Sequence, residues 1–373
     1  MAYAMTAGLL GIAALGACQE SGDNGEDSGS SVAAADCVDR ATKLADDASA
    51  KIGLGGPSDK LDGAQLAGKS VWLLEPAPAP YWAEVERGFK AAAKALDMKL
   101  NIVNAQGQLP NMVRGIDQAV ASGADGIVLG AWDPASVANQ VKAAEEAGIP
   151  VLLAMQFDPG STKAEGIAQH TSVSFVRMGE VIAAEMLRAT SCDLNVVAPF
   201  PAGATNVGTM KDQTASTIED LCGDACTYKA SEFPLAQTAT ALGPLAVSKL
   251  NADPSANYVQ ATFSSAGPLI EASMQQASLD VPIAGTGGGD PDLNSLSTGG
   301  LMKANVIYAP GEYTGWVLVD GIARLVSGEQ IDDKEIPVRL VTAESAADGI
   351  TPANLWDGFG TFPAEFTKAW GLN

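Results

Sequence analysis

The chain has 373 residues, 47% of them hydrophobic, which is enough to bury a large core and to divide into two domains. Its formal net charge of -22 argues against a nucleic-acid partner, because no basic excess is available to displace counterions from phosphates. A single histidine, His170, excludes a histidine-rich metal site and leaves one possible base for a catalytic triad. With no nucleophile–base pair in view, the expectation is a protein that is not an enzyme, without catalytic residues, cofactor or metal.

Residues 1–18, MAYAMTAGLLGIAALGAC, form an apolar segment whose core, 7–17, has signal-peptide size and is too short for a membrane span of roughly 20 residues. Leu15-Gly16-Ala17-Cys18 looks like a bacterial lipobox, which implies cleavage before Cys18 and a lipid on its thiol; no Lys or Arg precedes the apolar core. Residues 19–68 read as an acidic tether and extension, polar and flexible at first, with one helix near 38–52. Four further cysteines, Cys37, Cys192, Cys222 and Cys226, allow three disulfide pairings in an oxidising compartment. Zinc is the weaker alternative, since no histidine lies near Cys222 and Cys226.

From residue 71 a βα alternation begins. Strands are predicted at 71–74, 100–103, 126–129, 150–154 and 166–169, with helices near 84–96, 111–122 and 134–147. The loop between the first strand and first helix carries Tyr81 and Trp82 at the carboxyl edge of a parallel sheet, where ligands bind. A second series follows, with strands at 195–198, 228–233, 258–261, 281–284 and 302–307 and helices near 175–189, 210–221, 238–250, 266–277 and 312–326. A last strand, 337–341, precedes a tail with Trp356, Phe359, Phe362, Phe366 and Trp370, expected to pack across its own lobe. Two such halves predict an α/β protein of two Rossmann-like lobes with parallel sheets and a ligand cleft between them.

The order and spacing of these elements resemble the type I periplasmic solute-binding proteins of the ribose-binding kind. Gly88, Gly123-Ala124-Asp125-Gly126-Ile127, Ala147-Gly148-Ile149-Pro150-Val151 and Met178-Gly179 match the family in order. The resemblance implies three hinge crossovers, near 171–174, 308–311 and 337–340. It divides the chain into a first lobe of 69–173 plus 309–337 and a second of 174–308 plus 338–373.

Sugar binders of that family clamp hydroxyls with polar side chains, and several are replaced here. Ala79-Pro80-Tyr81-Trp82 stands where relatives have Asn-Pro-Phe-Phe, Gln156 where they have arginine, Ser174-Phe175 for Asp-Asn, and Tyr308 for a hinge glutamine. Tyr81, Trp82, Trp132, Phe175 and Tyr308, with Asp133 beside Trp132 and Glu75 on the opening loop, would suit a compact cation or strong dipole. That pattern is similar to the trimethylamine N-oxide-sensing, TorT-like members, in which Asp133 would fix a polar group. Gln156, Asn206 and Asp290 complete the expected ligand set, and His170 is expected to be a hinge residue with local hydrogen bonds. The resemblance implies an extracytoplasmic, monomeric, lipid-anchored receptor for a small molecule, serving an ABC importer. The ligand would be a small amine, N-oxide or betaine; a sugar ligand, or a sensory role toward a membrane histidine kinase, is the alternative.

Overall fold

In the computed structural model, residues 27–287, 290–346, 349 and 351–372 are described. Cys18 and the apolar leader lie outside them. Helix α1 spans Asp27–Ser49. It is followed by β1 (Ser70–Glu75), α2 (Pro80–Ala95), β2 (Lys99–Asn104), α3 (Leu109–Ala121), β3 (Gly126–Gly130), α4 (Ala138–Glu146), β4 (Val151–Ala154) and β5 (Ile167–Ser172). The second series is α5 (Phe175–Ala189), β6 (Asn195–Ala202), α6 (Thr205–Cys222), β7 (Thr227–Pro234), α7 (Thr238–Ala252), β8 (Tyr258–Ala261), α8 (Ala266–Gln276), β9 (Ile283–Thr286), α9 (Asp290–Ser297) and β10 (Met302–Tyr308). Then come α10 (Gly311–Val326), β11 (Lys334–Glu335), β12 (Val338–Thr342), α11 (Pro352–Leu355) and α12 (Phe362–Ala369).

Two six-stranded sheets result, ordered β11-β5-β4-β3-β1-β2 and β12-β10-β9-β8-β6-β7. Every pairing in the first is parallel; in the second only β12 runs antiparallel, against β10. Central strands β3, β4, β8 and β9 are buried throughout, as helices on both faces of a parallel sheet require. The chain passes between the lobes after β5, after β10 and between β11 and β12. These are the three crossovers that the resemblance implies.

Two segments outside this pattern also span both lobes. Helix α1 lies on the second lobe, where Cys37 is bonded to Cys192 just beyond α5. Residues after it move to the first lobe: Gly55 O accepts from Tyr313 Oη at 3.2 Å and Asp59 O accepts from Arg324 at 2.7 Å, both on α10. The aromatic tail corrects an expectation. Instead of remaining with the second lobe after β12, α12 returns to the first. Phe362, Phe366 and Trp370 cover Tyr313 and Trp316 of α10, with Trp316 and Trp370 stacked at 5.4 Å. The physical reason is the outer face of α10, which presents two large rings three residues apart that would otherwise lie in water. Arg339 of β12 ties both added segments together, donating to Ser49 O at 2.9 Å and Leu355 O at 2.7 Å.

Cys222 and Cys226 form the second disulfide, closing the turn after α6. The two bridges differ in expected worth because loop-closure entropy grows with loop length. Cys37–Cys192 joins residues 155 apart, whereas Cys222–Cys226 joins residues four apart. Replacing Cys37 and Cys192 together by serine should cost about 2–4 kcal/mol, and replacing Cys222 and Cys226 less. Thermal denaturation of both double variants checks the order; equal melting temperatures would contradict it.

Candidate functional site

Helix α2 begins earlier than the sequence predicts, at Pro80 rather than near residue 84. Proline is favoured in a first helical turn, where its fixed φ suits the helix and its missing N–H leaves no orphan donor. Tyr81 and Trp82 therefore sit on the first turn of a helix and are held by it. Helix α2 crosses α10 with backbone against backbone: a Cβ at Gly315 would overlap Val85 and Phe89 and lie 2.7 Å from the carbonyl carbon of Gly88. This close approach sets Tyr81 Oη 2.8 Å from Thr314 Oγ1. The Tyr81 ring also lies edge-on to Tyr308 at 4.6 Å. Burial, the main cause, and then Tyr308 push the Tyr81 phenol well above its ordinary pKa, so it stays neutral. Trp82 lies against Gly130, where a Cβ would meet its Cη2 at 2.6 Å.

Phe175 opens α5 behind the cap residue Ser174, whose Oγ accepts from Arg177 N at 3.0 Å. Asp158 clamps this helix start: it accepts from Ser174 Oγ at 2.6 Å, Phe175 N at 3.0 Å and Val176 N at 3.1 Å. A carboxylate at a helix N-terminus also meets the positive end of the dipole. Asp158 thereby fixes the first crossover and the ring of Phe175.

These groups enclose a cavity of about 140 Å³ between the lobes. The first lobe supplies Tyr81, Trp82, Ala131 and Met155, the crossovers Phe175 and Tyr308, and the second lobe Met178, Asn206, Val207, Met210, Thr262, Phe263, Ser264, Thr286 and Gly287. None of these lining residues is charged. The polar side chains already donate to protein acceptors: Thr262 Oγ1 to Pro199 O at 3.1 Å, Thr286 Oγ1 to Ala261 O at 3.2 Å, and Ser264 Oγ to Asp292 at 3.2 Å. Asn206 Nδ2 reaches across the cleft to Met155 O at 3.4 Å. Ala131 and Met155, which follow β3 and β4, hold φ angles of 37° and 57°, a strained conformation for side chains other than glycine.

Residues 71–330 match the family model described as the periplasmic binding protein domain. The chain belongs to the periplasmic binding protein family. Members of this family bind solutes outside the cytoplasm, and they are binding proteins rather than enzymes. An ABC sugar transporter subunit from Rhodobacter sphaeroides superposes with a TM-score of 0.66 at 16% identity, covering 75% of this chain and 99% of that one. A solute-binding protein from Bacillus halodurans with bound myo-inositol gives 0.68 at 17% identity, covering 76% and 97%. One from Agrobacterium vitis with bound α-D-tagatopyranose gives 0.68 at 16%, covering 78% and 99%. At these identities the likeness is one of fold. No curated protein sequence matches the chain.

Of the nine ligand residues expected in this binding protein, Tyr81, Trp82, Phe175, Asn206 and Tyr308 share the cavity. Trp132, Asp133 and Gln156 line an outer recess instead. Trp132 Nε1 donates to Ser136 Oγ at 2.8 Å, while Asp133 Oδ1 accepts from Ala135 N at 2.9 Å and caps the 3-10 turn Pro134–Val137. Asp133 is thus taken up by local capping and does not reach the ring cage. Asp290 opens α9, but its side chain lies outside the described residues. Glu75 is buried behind the start of α2, accepts from Asn104 at 3.1 Å and faces a separate groove with Pro78 and Pro80. His170 is fully buried beside the first crossover, with Nδ1 3.2 Å from Ser161 Oγ and 3.7 Å from Asp333. Both contacts fall on one ring nitrogen, so the three do not form a relay. Among the described residues, no cluster of His, Cys, Asp or Glu could hold a metal, and no helix is long and apolar enough to cross a membrane.

Sequence reasoning missed Met155, Met178, Met210, Thr262, Phe263, Ser264 and Thr286. The usable signal was position, since Met155, Thr262 and Thr286 stand at or just past the carboxyl ends of β4, β8 and β9.

Behind Ser264 lies Asp292, buried, accepting from Ser265 N at 2.8 Å and Ser264 Oγ. Burial pushes its carboxyl up from 3.8 to about 6, against the pull of these two donors. The folded value lies above the unfolded one. The associated stability is therefore fully present below pH 3.8 and lost as pH rises through about 6. Asp292→Asn should flatten the dependence of melting temperature on pH across that window; an unchanged profile would contradict the assignment.

Proposed function

We propose that this chain is the extracytoplasmic receptor of an ABC-type importer, closing its lobes on a small uncharged solute of the sugar or polyol kind. The observation that carries the reading is the interlobe cavity, walled by rings from both lobes and the crossovers and lacking any charged lining residue. Rings can cover the C–H faces of a sugar, and serine, threonine and asparagine oxygens can accept from its hydroxyls. The sugar and polyol ligands of the structurally similar proteins support the same class. Closure is a population shift: a solute that touches both walls only when they meet favours the closed form by that difference. Lipid attachment at Cys18, a monomeric state and a membrane permease as partner belong to the proposal, with a sensor kinase as the alternative partner.

A compact cation or N-oxide is the second reading, favoured by the edge-on Tyr81–Tyr308 pair beside Trp82. Each ring offers roughly 0.5–2 kcal/mol to a desolvated ammonium. Its weakness is that no carboxylate lines the cavity. Titration of tryptophan fluorescence with monosaccharides and inositols, against trimethylamine N-oxide and betaine, tests the choice. Saturable binding of a sugar or polyol supports the first reading; saturation by the amine series alone overturns it.

A further inference from the structure

We infer that the ligand has two parts, a small sugar or polyol ring in the cavity and an apolar substituent lying in the recess outside it. This rests on the function proposed above and names the ligand class more narrowly, as a glycoside or substituted cyclitol rather than a free monosaccharide. The recess has a volume of about 410 Å³ and adjoins the cavity, with Ala131, Asn206, Val207 and Phe263 lining both. Its walls come from both lobes. Leu109, at the start of α3, and Trp132 stand on one side with Asp133 and Gln156 at its polar edge; Pro201, Leu235 and Phe263 stand on the other.

Two side chains carry the inference. Leu109 is 42% exposed and Leu235 58%, and among the described residues only Val176 and Leu269 are large hydrophobic side chains comparably open to water. Scattered exposed leucines need no explanation, but these two line the same recess beside the ligand cavity, one from each lobe. The inner cavity points the same way. The hydroxyl protons of Thr262, Thr286 and Ser264 and one of the two Asn206 amide protons are already used within the protein, which limits what a free sugar's oxygens can gain there. An apolar substituent in the recess would add affinity by covering the lips and Trp132, which needs no further polar partner because Ser136 accepts its N–H.

Calorimetric titration of the full chain with matched methyl and phenyl β-D-glycosides of glucose, galactose and xylose tests this. For a sugar that binds, the phenyl glycoside should bind at least about tenfold more tightly than the methyl one, as expected for roughly one aromatic ring removed from water. In the double variant Leu109→Ser, Leu235→Ser that preference should shrink to within about threefold while methyl-glycoside affinity holds. Equal affinity of the methyl and phenyl members overturns the inference and leaves the sugar-receptor reading intact. A phenyl preference that survives in the double variant overturns the role of the two leucines. Failure of every glycoside and every free sugar to bind overturns both. Both side chains are largely exposed, so the variant should fold, which its melting curve confirms independently.

Discussion

Gly315→Val should destabilise the protein by about 3 kcal/mol or more and weaken solute binding at the same time. Helices α2 and α10 touch through their backbones, and a side chain at residue 315 would run into the main chain of Val85, Gly88 and Phe89. Backbone atoms cannot rotate away, so the helices must separate. Separation opens the packing around Val85 and Phe89, both fully buried. It also moves Tyr81 relative to Thr314 and Tyr308, whose geometry depends on the same helix pair. Urea unfolding and a solute titration on one preparation check the coupled loss. Gly360→Ala is the control, because nothing lies within 4 Å of a Cβ there, and it should leave both measurements unchanged. A Gly315→Val protein with the native unfolding midpoint would show that the helix contact is not limiting.

The same helix pair illustrates what was legible in the sequence. Strand positions could be read because a parallel sheet covered on both faces demands short continuous apolar runs, and β1, β3 and β4 supply them. The three crossovers came from the family resemblance, and the sheet orders place them after β5, after β10 and between β11 and β12. The tail could not be placed, because rings at residues 356, 359, 362, 366 and 370 announce burial without naming the surface they cover. That surface, Tyr313 and Trp316, is defined only when α10 is docked on α2.

The site was legible where backbone position and residue type agreed. Tyr81 and Trp82 follow a buried strand, and Tyr308 ends one. Asp133 lies in the outer recess and not in the ring-walled cavity, where a local role competes with the one the resemblance implied. An aspartate before Pro134 is a helix-capping pattern, and its Oδ1 accepts from Ala135 N accordingly. The methionines carried no type signal at all, since methionine fills irregular gaps in any core. Their place on the cavity wall depends on which helix faces the cleft, a tertiary fact.

Trp82→Ala should reduce solute affinity by about 30-fold to 1,000-fold, the range for truncating a central aromatic anchor. The ring is 8% exposed, wedged against Gly130 on one side and facing the cavity on the other. Truncation enlarges the cavity and removes an aromatic wall. Trp82→Phe keeps a ring face and should remain within about tenfold of native affinity, which separates loss of the face from general damage. Tyr81→Phe makes the opposite case. It keeps its ring but deprives buried Thr314 Oγ1 of its partner, so the cost of about 1–3 kcal/mol should fall on folding stability. Across the three variants, affinity should track the ring at residue 82 and stability the hydroxyl at residue 81. Calorimetric titration against thermal melting reads both. If Trp82→Ala retains native affinity for a solute that Tyr81→Phe still binds, the bound molecule lies elsewhere in the cleft, and the ring wall serves only to close the first lobe's edge.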